Sequence, residues 1–275
     1  MPTTETGGTE MLAKQRQAVI LEEVRRSGGV RVSDLTELLQ VSNMTIRRDL
    51  DVLAESGLVE KVHGGATAVG ERSTFEPGFE AKSFRERPEK EAIAELAATL
   101  VRPGSAIGLN AGTTTWALAR RLGEVPNLTV VTNSIQVAGV FHQHDRGDQT
   151  VVLTGGLRTP SDALVGPVAI GSIRSLNLDV VFMGVHGIDP RRGFSTPNLM
   201  EAEANRALAE AARRVVVVAD HTKWGVIGLC SILALDQADV LVTDAGLGEE
   251  AREVLAEQVG ELLVAPLRAQ AAEAG

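Results

Sequence analysis

Two sets of polar residues in this 275-residue chain have types and spacings suited to chemistry. The larger comprises five clusters, each directly after a short apolar run: Asn110 to Thr115, Thr132 to Ser134, Thr154 to Gly156, His186 to Asp189, and Asp220 to Gly225. Gly112 followed by Thr113, Thr114 and Thr115 opens a helical stretch. Backbone N–H groups and hydroxyls there can hold an anion at the positive helix end. Plain capping by threonine explains the same residues without a ligand. Lys223 and the pair Gly155-Gly156 weigh toward a phosphate site. Asn110, Asn133, Asp189 and Asp220 stand in the same clusters as further polar ligand candidates, although Asp189 can equally end a turn. There is no Gly-x-x-x-x-Gly-Lys-Ser/Thr loop, and no Gly-x-Gly-x-x-Gly after the first strand of this region. That disfavours a P-loop and a dinucleotide.

The smaller set lies near the N-terminus. Ile46, Leu50 and Leu53 recur at helical spacing and form one apolar face. Asn43, Met44, Arg47 and Arg48 then point outward from the first half of that helix. Arginine bonds guanine or phosphate in bidentate fashion, and asparagine bonds adenine. Ser42 and Thr45 can donate to phosphate oxygens. The bland alternative is a solvated face with Arg47 paired to Asp51 one turn on.

The elements that must position these groups follow from apolar periodicity. A helix over 11–27 carries Ile20, Leu21 and Val24 and stops at Gly28-Gly29. Val30 to Val32 is extended. Ser33 reads as the N-cap of a second helix with Leu35, Leu38 and Leu39 on one face, and Gln40-Val41 breaks it. Ser42 caps the third helix, and Gly57 ends it. Leu58 to Ala66 reads as two short strands. The order is that of a winged helix-turn-helix. Residues 68–88 carry Pro, Gly and charge without period and read as a linker, with Pro88 at the first position of a helix reaching about Leu100. Beyond it, continuous apolar strands alternate with helices: 106–109, 128–132, 150–153, 180–184, 215–219, 240–243 and 262–265. That is a mostly parallel sheet covered on both faces. All five polar clusters fall at its carboxyl edge, where open α/β sheets bind ligands. The expected division is 1–70, a linker at 71–88, and an α/β domain at 89–275.

Composition narrows the partners. Hydrophobic residues make up 44% and charged residues 23%, and no apolar run is long enough to span a bilayer, so no membrane association is expected. The net charge is −9, with eight Lys/Arg against ten Asp/Glu in residues 1–70. Neither part is basic, so contact with DNA must come from a few placed cations. Aromatics are 3% and Tyr is absent, which argues against stacking on single strands. The N-terminus is polar and Cys230 is the single cysteine, so a cytoplasmic setting is expected. His142 and His144 have no Cys or Glu at ligand spacing. No metal and no cofactor are expected.

Val41-Ser42-Asn43-Met44-Thr45-Ile46-Arg47-Arg48-Asp49-Leu50, then Leu53, Gly57 and Val62-His63-Gly64-Gly65-Ala66, resembles the DeoR family of bacterial transcription regulators. Lys61 stands where an arginine is common in that family. The second half is similar to the family's sensor domain over about 85–245, through Gly112-Thr113-Thr114, Thr132-Asn133, Thr154-Gly155-Gly156, Val165-Gly166, Gly187-Ile188-Asp189, Glu201-Ala202 and Asp220 to Gly225. Two positions depart: Asn110 and Asn205 stand where the family often has aspartate and lysine. The resemblance implies an α/β chain with an N-terminal winged helix-turn-helix and a C-terminal Rossmann-like, ribose-5-phosphate-isomerase-like sensor. It implies a regulator, a repressor, of a carbohydrate operon, released by a phosphorylated sugar. Double-stranded operator DNA would be met by Ser42, Asn43, Met44, Thr45, Arg47, Arg48, Lys61 and His63, with His63 equally a backbone hinge. A homodimer or homotetramer is expected, because two half-sites multiply weak binding. The alternative is an isomerase-like enzyme fused to a DNA module, with Asp189, Glu201 or Asp220 as base and Lys223 steadying an enediolate.

Overall fold

Apolar side chains at helical spacing in the first seventy residues are enough to close one small core. The computed structural model describes residues 13–27, 29–62, 64–68, 79–83, 86–144 and 146–267. The chain divides into two units, Met1–Arg72 and Ser73–Gly275. The first holds α1 (Ala13–Ser27), β1 (Gly29–Arg31), α2 (Val32–Leu39), α3 (Asn43–Glu55), β2 (Val59–Val62) and β3 (Gly65–Ala68). Its strands pair antiparallel in the order β1-β3-β2. Ile20 and Val24 from α1, Leu35 from α2, and Ile46, Leu50 and Leu53 from α3 meet Val59 in the core. Each contributes about 1.5–3 kcal/mol by leaving water.

Polar bonds fix where α3 begins and how it leans. The Ser42 side chain accepts from the Thr45 N–H, the expected cap. Asp49 is buried against α1, where Arg16 Nε donates to it at 2.5 Å and Gln17 Nε2 at 3.0 Å. Two expectations for α2 fail. The helix starts at Val32 with Arg31 as an N-cap that makes no side-chain bond, and the Ser33 hydroxyl bonds Asp34 instead. Leu38 is 56% exposed. The inward face of this short helix is Val32, Leu35 and Leu39, and Leu38 sits one 100° step off it.

In the second unit, the stretch read as linker carries a helix, α4 (Phe79–Ser83), and the start of α5 (Arg87–Ala98). Residues 71–78, 84 and 85 of that stretch lie outside the described residues. Pro88 takes the second helical position rather than the first, because Glu86 is the N-cap, and the helix ends before Leu100. Next come β4 (Ala106–Leu109), α6 (Thr113–Leu122), β5 (Thr129–Thr132), α7 (Ile135–His144), β6 (Thr150–Leu153), β7 (Leu157–Arg158), β8 (Leu164–Val165) and α8 (Pro167–Arg174). They are followed by β9 (Val180–Gly184), β10 (Gly187–Asp189), β11 (Gly193–Thr196), α9 (Leu199–Glu210), β12 (Val215–Val218), β13 (Cys230–Leu233), β14 (Val240–Asp244), α10 (Glu249–Gln258) and β15 (Leu262–Ala265).

Seven of these strands form a wholly parallel sheet in the order β15-β14-β12-β9-β4-β5-β6. Both faces are apolar, as continuous apolar strands require. Val216, Val218 and Phe182 point to the side packed by α5, α6 and α7. Val217, Val181 and Met183 point to the side packed by α8, α9 and α10. The chain winds outward from β4 through β5 and β6, then returns across β4 to β9 and winds the other way. The switch point therefore lies between β4 and β9.

Asp49→Ala removes the buried acceptor of both Arg16 Nε and Gln17 Nε2 and is expected to lower the stability of the first unit by about 1–3 kcal/mol. Calorimetry should show that unit melting earlier while the main transition of the second is unmoved.

Candidate functional site

The two strand ends at the switch point diverge, and their backbone groups need partners. Asn110, after β4, supplies them for Gly184 at the end of β9. Its Nδ2 donates to the Gly184 carbonyl at 2.9 Å, and its Oδ1 accepts from the Gly184 N–H at 2.8 Å. The same Nδ2 donates to Asn205 Oδ1 on α9 at 3.2 Å. An aspartate cannot donate to that carbonyl. The two departures from the family pattern are therefore one feature: a neutral asparagine pair occupies positions where the resemblance leads one to expect opposite charges.

A cleft opens over this clasp. Gly112, Thr113 and Thr114 at the start of α6 line it, with Gly184 at the end of β9, His186 just beyond it, Asn205 and Glu201 from α9, and Lys223. Lys82 from α4 and Lys90 from α5 complete the wall. The Thr115 hydroxyl does not reach the cleft; it donates to the carbonyls of Asn110 at 2.8 Å and Gly112 at 3.0 Å and locks the loop. Asn133 also works behind the wall. Its Oδ1 accepts from the Ala111 N–H, and its Nδ2 donates to the Leu164 carbonyl, both at 3.1 Å.

The third cluster shapes the wall rather than lining it. Gly155 and Gly156 have φ of +71° and +120°. A Cβ on Gly156 would lie 2.4 Å from the Val165 carbonyl oxygen, so only glycine lets β7 and β8 close. Asp189 does not line the cleft. Its Oδ1 accepts from the N–H groups of Arg191 and Arg192 and ends a turn.

Lys223 is held by a short 3₁₀ turn, His221–Lys223, capped by Asp220. Asp244 at the end of β14 anchors the turn through the His221 N–H and Nδ1, both at 2.8 Å. The Lys223 ammonium lies 3.9 Å from Asp220 Oδ2. Oδ1 of Asp220 is taken by the Thr222 N–H and hydroxyl, whereas Oδ2 is buried and accepts no hydrogen bond among the described residues. Burial alone would raise the Asp220 carboxyl. Lys223, the Thr222 hydroxyl and Lys90 outweigh it and hold the carboxyl below the ordinary aspartate value. Glu86 moves the other way, raised first by burial and then by Glu89 and Asp220.

Sequence reasoning gave no role to Lys82, Lys90 and Ser161, which line the cleft with His186 and Asn205. For Lys90 a signal existed. It stands three, four and seven positions before Ile93, Ala94 and Ala97, on the buried face of α5. It is 5% exposed, and its ammonium donates 2.9 Å to the Lys82 carbonyl.

On α3, Ser42, Asn43, Met44, Arg47 and Arg48 are exposed and Thr45 is half-buried. Met44 is 75% exposed, a large apolar cost without a partner. Asn43 Oδ1 accepts from the Thr36 hydroxyl at 2.8 Å. The suggested Arg47–Asp51 pair is absent, because Lys61 from β2 takes Asp51. Among the described residues, neither Arg47 nor Arg48 has an ion-pair partner. His63 lies outside the described residues. No cluster of His, Cys, Asp and Glu that could hold a metal occurs among the described residues. No helix among them is long and apolar enough to cross a membrane.

An antiparallel-winged trihelical unit with exposed arginines on its third helix, joined to a parallel α/β unit with a lysine-rich cleft, defines a class: a ligand-sensing DNA-binding protein. Family models agree. Residues 16–72 match the DeoR-like helix-turn-helix domain, and residues 85–245 match the DeoR C terminal sensor domain. The chain belongs to the DeoR family of transcriptional regulators. It is 40% identical to the uncharacterized HTH-type transcriptional regulator YgbI of Escherichia coli K12, over 93% of this chain and 99% of that one. It is 32% identical to the putative aga operon transcriptional repressor of Escherichia coli O157:H7, over 93% and 96%. These relatives are named as regulators, not enzymes. A solved D-ribose-5-phosphate isomerase in complex with phospho-erythronic acid is 18% identical with a TM-score of 0.37, over 49% of this chain and 52% of that one. A superposition that loose bears on neither fold nor reaction.

A lowered carboxyl stabilises the fold above its unfolded value, about 3.9, and loses that effect as pH falls through the folded value. The melting-temperature gap between the native chain and Asp220→Asn should be widest near neutrality. It should close as pH drops below about 4. A gap constant through that range removes the Asp220 ion pair from the account.

Proposed function

We propose that this regulator binds operator DNA through α3 and releases it when a phosphorylated sugar enters the cleft of the second unit. The observation that carries the reading is the convergence of Lys90, Lys223 and the N-terminal end of α6 at the switch point of the sheet. Thr113 and Thr114, with the N–H groups around them, receive the phosphate, and Lys223 balances its charge. Asp220 does not line the cleft, and it acts by holding Lys223 from behind the wall. Asn110, Gly112, Thr115, Asn133, Gly155 and Gly156 act by holding the loops in place. Asp189 is left with its turn.

On the DNA side, Arg47 and Arg48 anchor the duplex and Asn43 meets base edges in the major groove. Met44 offers its apolar tip to a thymine methyl. Ser42, Thr45 and Lys61 meet phosphates. A symmetric dimer, or a pair of dimers, places two α3 helices on successive half-sites. Its setting is the cytoplasm. Repression fits the name carried by the aga operon relative.

The test has two arms. Arg47→Ala with Arg48→Ala should weaken binding to the upstream regulatory DNA roughly 10²–10⁴-fold, since each such contact is worth about 1–3 kcal/mol. Thermal stability should change by less than about 0.5 kcal/mol, because both side chains face solvent. In the second arm, a thermal-shift panel of phosphorylated sugars is run against their unphosphorylated forms, and active compounds are then added to the DNA complex. Lys223→Ala should bind DNA but respond weakly. An unaltered response removes Lys223 from the site, and a panel without any shift removes the effector.

A further inference from the structure

We propose that β6, an open edge of the seven-stranded sheet, is the surface at which two copies of this chain join. Each β6 pairs antiparallel with β6 of a second copy about a two-fold axis at Val152, and the two sheets become one. The proposal rests on the dimer reading above and assigns that dimer its surface.

The hydrogen bonds of β6 to β5 fix which groups are left over. The Thr150 N–H donates to the Leu128 carbonyl at 2.8 Å, and the Thr154 N–H donates to the Thr132 carbonyl at 3.1 Å. Alternate residues of a parallel strand turn to the same neighbour. Val152 therefore also faces β5, and the N–H and C=O groups of Val151 and Leu153 face outward. Sheet edges are ordinarily blunted by shortening, a bulge, a lysine or a proline. β6 has none of these. It has four residues, as β4 and β5 have, and its register with β5 is unbroken. No proline and no charged residue occurs from Gln149 to Leu157.

The side chains on this edge are apolar and in water. Val151 and Leu153 are exposed. The apolar surface continues past the strand. Val168, 65% exposed, lies beside the turn that follows β6: a Cβ on Gly155 would stand 3.6 Å from its Cγ1. Leu157, 64% exposed, and Met200 both lie against Gly166, and Leu199 adjoins Met200. Six such side chains present on the order of several hundred Å², the upper range of what a monomer leaves in one patch. A standard interface buries about 800 Å² per partner, so the edge with its rim is of the right size.

Charge and symmetry select the occupant. Each chain carries a net charge of −9, so two copies repel across much of their surface. Along β6 there is no charge to repel, and the charges that flank it are paired within the copy: Arg146 with Asp148 and Glu124, Arg158 with Asp162. A charged partner finds nothing to match, whereas an identical strand does. With Val152 opposite its own copy, Val151 of one chain and Leu153 of the other form a hydrogen-bonded pair and exchange two bonds. The reciprocal pair adds two more.

The experiment uses the full chain with Cys230→Ser, followed by sedimentation over a concentration series and by mild oxidation of introduced cysteines. The Cys230→Ser parent is expected to dimerise. Val152→Cys places two thiols across a non-hydrogen-bonded pair with Cα atoms about 4.5 Å apart, a spacing a disulfide spans, and should give a linked dimer on a non-reducing gel. Thr150→Cys is offset by four residues from its own copy in this register and should stay unlinked, although Thr150 is the more exposed. Val151→Pro removes only an outward N–H, which an edge strand tolerates, and so two of the four bonds. Leu153→Lys sets like charges near the axis. Each should raise the dimer dissociation constant about 10–100-fold. If the parent is a dimer but Val152→Cys links no better than Thr150→Cys, or if both edge variants dimerise like the parent, the β6 interface is refuted and the dimer reading stands. If the parent sediments as a monomer at every concentration, both fall. The cross-link requires no disruptive substitution, so a misfolded Val151→Pro leaves it decisive.

Discussion

Where a parallel sheet reverses its winding, two neighbouring strands part at their carboxyl ends and leave backbone groups without a ladder partner. In this chain that point is the β4–β9 boundary, and the demand is met by one side chain. Asn110 both donates to and accepts from Gly184, and so copies the bond pair that a strand residue would have made. The Asn110 carbonyl in turn holds the Thr115 hydroxyl. The start of α6 is therefore set by the same clasp that spans the gap. Moving any of these atoms moves the N–H groups that face the cleft.

Onto that frame the fold brings Lys82, Lys90 and Lys223 to the wall of one cleft. Burying an ammonium is costly unless it is paired. Lys90 has the Lys82 carbonyl, and Lys223 has Asp220 at 3.9 Å, a distance too long for a hydrogen bond. Asp220 Oδ2 keeps an acceptor without a hydrogen bond among the described residues. On the reading proposed above, an anionic ligand meets the lysines of the wall, whereas an apolar molecule gains nothing from them.

Much of this was legible in the residues. The seven strands announce themselves as continuous apolar runs, because a sheet covered on both faces cannot alternate. The stripe of Ile46, Leu50 and Leu53 also gives away α3, since one buried face at period 3.6 leaves the rest of the helix outward. Other features depend on contacts distant in sequence. Nothing local makes 79–83 a helix; Trp116 and Lys90 do. The small sheet β10-β11-β13 has strands of three or four residues that mix Gly, Ser, Thr and Cys with Ile188, Phe194 and Ile232, too short to show a period. Asn133 and Thr115 have the residue types of ligand contacts, but their polar atoms turn to backbone. A polar residue at a strand end is needed for loop closure as often as for binding, and type alone does not separate the two.

Charge placement also bears on how such a switch is set. The first seventy residues are net negative, so a broad electrostatic hold on DNA is not on offer. Of the cations near α3, Arg16 is spent on Asp49 and Lys61 on Asp51. Arg47 and Arg48 remain. On the proposed reading, affinity rests on few contacts per copy, and pairing two copies multiplies it. Modest affinity is what makes control possible, because an effector can shift an equilibrium only by its own differential affinity for the two states, typically 1–3 kcal/mol. A protein gripping DNA through a dozen lysines would be indifferent to that amount. On the reading proposed above, a hold through two arginines per copy, paired across a dimer, is not.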